Sequence, residues 1–281
     1  MLLTSTDLGG KILEIISSMA IKGGVGKTTL AFQLAKYIEG KNKNVLMLDM
    51  DSQRSLTGLF IKSQNDFDNV DTTADILLNP RHKYTPTKVS NKISIFPATN
   101  NLNEIAEEMA TKTYKELALF MWFAFNVDSL NKEFDYVIID LPPAWNVLSQ
   151  NGVTVADKIL SPMEPSRFGY ESHAKVISAI QALKDALIDP VTGKEYVTAE
   201  ILFLGNRVKH NTASSRDFLE ALAQLSDVIG SIPEKELVNS SMLSKQSIWD
   251  YGEEHKLLWK QRAFYEEVEK IFERVLNNGE V

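Results

Sequence analysis

Eight residues, Lys22-Gly23-Gly24-Val25-Gly26-Lys27-Thr28-Thr29, stand between an apolar run that ends at Ala20 and an amphipathic run that begins at Thr28. A glycine-rich turn in that setting, strand before and helix after, lets the backbone approach an anion and aim its N–H groups at it. The helix start adds partial positive charge. Lys27 is then placed to neutralise the β- and γ-phosphate oxygens of a nucleotide, and Thr28 to offer its hydroxyl to Mg²⁺. Gly23, Gly24, Val25, Gly26 and Thr29 complete the candidate phosphate cradle. The loop departs from the usual G-x-x-x-x-G-K-[ST] spacing, because Ile21 stands six positions before Lys27 where a glycine is expected. A second lysine, Lys22, stands at the loop entrance.

The rest of the chain repeats the alternation that the loop begins. Short aliphatic runs at Ile12 to Ala20, Asn44 to Leu48, Ile93 to Phe96, Tyr136 to Asp140, Lys158 to Ser161, Ile201 to Gly205 and Asp227 to Ser231 predict strands. Between them, helical periodicity predicts helices over Thr28 to Glu39, Asn103 to Asn126, Glu171 to Leu187, Ser214 to Leu225 and His255 to Leu276, with a short one near Thr73 to Leu78. This βαβ rhythm is that of an α/β protein with a mostly parallel, twisted sheet covered by helices on both faces. Neither a linker nor a solenoid repeat interrupts it, so 1–281 reads as a single domain. The polar stretch from Phe60 to Lys92 is the least patterned.

Two strands end in acids. Val45-Leu46-Met47-Leu48-Asp49-Met50-Asp51-Ser52-Gln53 presents two carboxylates at the strand end where ligands of open α/β sheets bind. Tyr136-Val137-Ile138-Ile139-Asp140-Leu141-Pro142-Pro143 presents a third, followed by prolines that stiffen the loop. An acid there can hold Mg²⁺ opposite Thr28. Alone, such acids could be simple turn formers.

The octet resembles the deviant Walker A loop of the ParA/MinD superfamily of dimeric P-loop ATPases, and the acidic segments resemble its switch I (D-x-D-P-Q) and its Walker B and switch II (D-x-P-P). The resemblance implies the P-loop NTPase fold and hydrolysis of ATP with Mg²⁺. It gives Lys22 the role of reaching across a nucleotide-sandwich homodimer to the partner's phosphates. It makes Asp51 the acid that organises Mg²⁺ and the attacking water, Asp49 a more structural acid, and Asp140 a further Mg²⁺ residue. Ser52 replaces the family's usual proline. Asn206, at the end of Ile201 to Gly205, matches the superfamily's adenine-facing asparagine, and Pro233 of Ile232-Pro233 matches the backbone that borders the base.

The order of features from Ile232 to Phe272 follows the plasmid and chromosome partition branch. That branch implies nonspecific DNA binding as an ATP dimer and control by a ParB-like centromere-binding partner. Its longer members carry an N-terminal helix-turn-helix domain, for which a loop at residue 22 leaves no room.

Composition sorts the other branches. With no cysteine, the chain lacks the ligands for the cluster of nitrogenase iron protein. The tail from Val275 to Val281 has no tyrosine, unlike the bacterial tyrosine autokinases. A MinD-like protein needs a basic amphipathic helix at its end, but residues 256–274 carry five basic against four acidic residues. Packing on the body, with no membrane contact, is the expectation. A metabolic P-loop phosphoryl-transfer enzyme is a further alternative, and its loop would not need Lys22. The start lacks a basic n-region and a long apolar core, which points to the cytoplasm. The net charge of −7 lacks the general basic character of many nucleic-acid binders. Any DNA contact must be local, and Lys209, Arg216, Lys235 and Lys245 are the candidates. Acid-free basic runs lie at Arg207 to Arg216 and Arg81 to Lys92.

Overall fold

In the computed structural model the described residues are 13–61, 70–165, 169–209 and 212–277. Ile12 of the first expected strand, the chain start, residues 62–69 of the weakly patterned stretch, His210 and Asn211 of one basic run, and the tail 278–281 lie outside them.

An eight-stranded sheet forms the centre. Its strands are β1 (Glu14–Ser18), β2 (Val45–Asp49), β3 (Thr87–Lys88), β4 (Ile93–Phe96), β5 (Tyr136–Asp140), β6 (Lys158–Met163), β7 (Glu200–Val208) and β8 (Val228–Pro233), in the spatial order β3-β4-β2-β5-β1-β6-β7-β8. All pairings are parallel except that of β3 with β4. This is the P-loop NTPase architecture expected from the alternation of elements. The added β3 is a two-residue edge strand, too short to leave a hydrophobic pattern.

Successive strand residues feed two separate cores, as the period of two demands. Leu46 and Leu48 enter one core with Val137 and Ile139, whereas Val45 and Met47 enter the other with Ile138. The second core is closed by α1 (Lys27–Gly40), α10 (Ile248–Glu254) and α11 (Arg262–Leu276), through Leu30, Leu34, Ile38, Ile248, Val268 and Phe272. The first is closed by α3 (Thr73–Leu78), α4 (Leu102–Ala110), α5 (Ala118–Glu133), α6 (Val147–Val155), α7 (Gly169–Ala186) and α8 (Ala213–Leu222). Two short helices, α2 (Thr57–Phe60) and α9 (Glu236–Leu243), sit near the loops.

Two long helices of the sequence reading are corrected. Asn103 to Asn126 is not one helix: α4 ends at Ala110, Tyr114 takes a left-handed φ of 58°, and a 3₁₀ turn at Lys115–Leu117 leads into α5. The break lets Ile105 and Met109 of α4 and Leu119 and Trp122 of α5 reach the same core. The side chain of Asn151 stabilises the junction, accepting from the Leu119 N–H at 2.9 Å and donating to the Lys115 carbonyl at 2.7 Å. Likewise α11 begins at Arg262 rather than His255, because residues 255–261 turn, with Lys256 at φ 56°. Among the described residues, no helix is long and apolar enough to cross a membrane.

Candidate functional site

Register builds the site. Strand β5 lies between β1 and β2, and its last residue, Asp140, is level with Ser18 on one side and Asp49 on the other. Three polar residues therefore share one edge of the sheet, at the carboxyl ends of adjacent parallel strands. The loop 19–26 and the first turn of α1 rise from that edge. Ser18 Oγ donates to the Lys27 carbonyl at 3.1 Å, tying the helix start to the strand it leaves. Thr28 Oγ1 donates to Asp140 Oδ2 at 2.6 Å.

Asp140 is buried, and its second oxygen, Oδ1, has no hydrogen-bond partner. Burial, and after it the charge of Asp49, pushes this carboxyl well above the usual carboxylate range. A buried acceptor in that condition is costly unless a cation or donor reaches it. The donor set fits Mg²⁺: a threonine hydroxyl, the adjacent carboxylate of Asp140, and Asp51 on the same rim. Among the described residues no cluster of three or more acidic, histidine or cysteine ligands exists. A cation here would take only part of its shell from the protein, as Mg²⁺ commonly does beside phosphates.

Two positions separate Asp49 from Asp51, and their environments are opposite. Asp49 is fully buried: Oδ2 accepts from the Thr57 N–H at 2.8 Å and the Thr57 hydroxyl at 2.7 Å, and Oδ1 accepts from the Asp51 N–H at 3.1 Å. Burial raises its pKa to about 6, and the bonds from Thr57 oppose the rise. Asp51 is half-buried and lines the central cavity. It sets a turn in which Oδ1 accepts from the Gln53 N–H at 2.9 Å and its carbonyl from the Arg54 N–H at 2.8 Å. Lys27 is buried, and desolvation lowers its pKa while Asp140 and then Asp51 support its charge.

The phosphate loop is held by the neighbouring strand end. Gly24 and Gly26 have φ of 80° and 93°, which turn the carbonyls outward. Asn206 Nδ2 donates to the Val25 carbonyl at 2.8 Å, and Arg207 Nη1 donates to the Gly24 carbonyl at 3.0 Å. A Cβ on Gly26 would stand 2.3 Å from Asn206 Nδ2. The Asn206 amide, read from sequence as an adenine contact, thus serves the loop carbonyl as well as lining the cavity. That cavity is about 500 Å³, of the size that binds a nucleotide. Gly23, Gly24, Gly26, Lys27, Thr28, Thr29 and Asp51 line it together with Asn206, Pro233, Lys235, Val238 and Asn239. Val25 is buried behind the loop.

Lys22 stands at the start of the loop, half-exposed, with Nζ 3.7 Å from Glu164 Oε2. Arg207 Nη1 reaches the other oxygen of Glu164 at 3.1 Å. Sequence reasoning did not single out Glu164 or Thr57, since a lone polar residue beyond a strand carries no spacing signal. Of the four candidate DNA residues, Arg216 lies on α8, Lys209 follows β7, and Lys235 and Lys245 flank α9. Lys209 pairs with Glu234 at 3.9 Å, and Lys245 Nζ donates to the Gly58 carbonyl at 2.6 Å. Arg216 and Lys235 are exposed.

Residues 13–192 match a family described as an AAA domain. The chain is 32% identical over 170 residues to the chromosome partitioning protein ParA of Myxococcus xanthus, covering 59% of this chain and 57% of that protein. It is 28% identical over 182 residues to the chromosome-partitioning ATPase Soj of Treponema pallidum, covering 63% and 66%. The match therefore spans less than two thirds of either relative. A crystal structure of a plasmid partition protein from Borrelia burgdorferi shares the fold, with a TM-score of 0.71 at 23% identity over 95% of this chain and all of that one.

Proposed function

The chain belongs to this AAA domain family and to the ParA/MinD superfamily of P-loop ATPases, and from that premise we propose that it is a ParA-type partition ATPase. It joins as an ATP-sandwich homodimer, binds nonspecific DNA in that form, and hydrolyses ATP slowly until a ParB-like centromere-binding partner stimulates it. The observation that carries this reading is the pair of lysines on one loop. Lys27 is buried near Asp140 and Asp51, while Lys22 at the start of the loop is half-exposed, where a second copy can be met.

In this reading the loop N–H groups and Lys27 hold the β- and γ-phosphates, and Asn206 and Pro233 border the base. Mg²⁺, held by Thr28, Asp51 and Asp140, would neutralise charge on the phosphate oxygens. Asp51 has one oxygen committed to its own turn at Gln53 and lies on the cavity wall, which suits it to orient the attacking water. Lys22 completes the partner's site as an arginine finger does elsewhere. The match of the chain to proteins described as partition proteins supports the biological role.

The test is the ATPase rate with and without nonspecific DNA, alongside the Lys22→Ala variant. ATP-dependent DNA binding with stimulated turnover is expected in the wild type. The variant is expected to bind nucleotide but neither dimerise nor hydrolyse it. Wild-type turnover in the variant would remove the sandwich, and phosphoryl transfer to a small molecule with no response to DNA would favour a metabolic enzyme. Co-sedimentation with anionic vesicles on adding ATP would favour a membrane-cycling protein instead.

A further inference from the structure

We propose that Glu164 is a counter-ion that holds Lys22 on its own subunit, and so sets the protein concentration at which two nucleotide-loaded copies join. The proposal rests on the reach of Lys22 across the dimer given above. Glu164 follows Met163, the last residue of β6, which is level with Gly205 of β7. That register sets its carboxylate beside Arg207. The two oxygens are divided between two cations: Oε1 takes Arg207 Nη1 at 3.1 Å, and Oε2 takes Lys22 Nζ at 3.7 Å.

The two cations are not equally held. Arg207 is fixed at several points: Nη1 also donates to the Gly24 carbonyl at 3.0 Å, Nε is 4.0 Å from Glu234, and the backbone is left-handed at φ 55°. It therefore anchors the Glu164 carboxylate at the rim of the phosphate loop. Lys22 makes the longer contact from a half-exposed position, on a flexible stem with a point charge that changes partners readily. To reach the phosphates of a second copy, its ammonium must give up part of its attraction to this anchored anion. Glu164 thereby opposes association without touching the nucleotide of either copy.

Glu164→Gln is the informative change, because the amide oxygen still accepts from Arg207 while the charge is gone. The dimer constant is measured by sedimentation velocity with AMP-PNP for wild type, E164Q and K22A, at low and high salt. Binding of a fluorescent ATP analogue and melting temperature are followed in parallel. An exposed ion pair contributes modestly, so E164Q is expected to dimerise about threefold more tightly per site, or about tenfold for the two sites of a dimer. The gap should close near 1 M salt, where the Debye length is about 3 Å. Monomer affinity for nucleotide and melting temperature should stay as in wild type, which a merely structural role would not predict. If E164Q dimerises no more tightly than wild type, or the gap ignores salt, while K22A fails to dimerise, the role of Glu164 is overturned and the sandwich stands. If K22A dimerises as wild type does, the sandwich reading itself falls and this proposal with it.

Discussion

Asp49 and Asp51 show how far two carboxylates on one short segment can diverge in purpose. Asp49 accepts three hydrogen bonds and faces no cavity, so its work is to fix the chain that carries Asp51. Asp49→Asn sets an amide N–H₂ among donors and leaves a buried donor unsatisfied. It is expected to cost about 1–3 kcal/mol of stability, read by urea denaturation. Asp51→Asn should change stability by less than about 0.5 kcal/mol, since the group is half-exposed and its turn keeps an acceptor. Its turnover in a single-turnover assay should fall about 10²-fold or more. Equal stability losses in the two variants would refute this division. Gly26 is a second single-residue constraint. Alanine there meets both a φ of 93° and an atom at 2.3 Å, so Gly26→Ala should abolish binding of a fluorescent ATP analogue while far-UV circular dichroism remains native.

At the scale of elements, what was legible is what repeats or is contiguous. The loop, the strands at 93–96 and 136–140, and the helix at 73–78 fall where the residues predict, because their signals lie within a few positions of one another. The helix α6 was not legible, although Asn146 and Ser149 form a capping box at its start. Its core, Asn151-Gly152-Val153-Thr154-Val155, is poor in helix formers. Packing supplies the reason for the glycine: a Cβ at 152 would stand 2.4 Å from Leu141 Cδ2, so only glycine lets the helix lie this close to the β5 exit. The bend at 111–117 was hidden because it depends on Asn151, more than thirty residues along the chain. The α11 helix shows the converse. Its three basic and four acidic side chains look balanced in sequence, yet its apolar face, Phe264, Val268, Ile271, Phe272 and Val275, is buried in the core on that side of the sheet. Phe272 also packs against Tyr37 of α1, the rings tilted at 58° with centroids 5.5 Å apart. Phe272→Ala should therefore destabilise the domain by about 3–5 kcal/mol in a denaturant melt, as removal of a buried aromatic does. A loss below about 1 kcal/mol would mean that the helix is not fixed to the body.

At the scale of the whole molecule the charge balance decides how nucleic acid could be held. With 30 basic and 37 acidic residues, a lone copy has no general attraction for a polyanion. Of the four basic residues read as contacts, all exposed, two have a partner within the molecule: Lys209 beside Glu234 and Lys245 on the Gly58 carbonyl. Arg216 on α8 and Lys235 before α9 are exposed and remain the better candidates. One copy would then offer about two phosphate contacts, too few for firm binding at physiological salt. Two copies would offer about four, so association and DNA binding should be coupled. The expected slope of log K against log salt for the ATP-loaded dimer is about −3.6, from about −0.9 per contact. Because each substitution removes a contact from both copies, Arg216→Ala or Lys235→Ala should flatten the slope by about two units, and the pair together should abolish binding. Lys209→Ala should leave the slope unchanged. Lys245→Ala should act through the attachment of α2, lowering stability without a change of slope. Fluorescence anisotropy on a random duplex, run with AMP-PNP over a salt series, measures all four. A wild-type slope that persists in the Arg216 and Lys235 double variant would place the DNA surface elsewhere on the molecule.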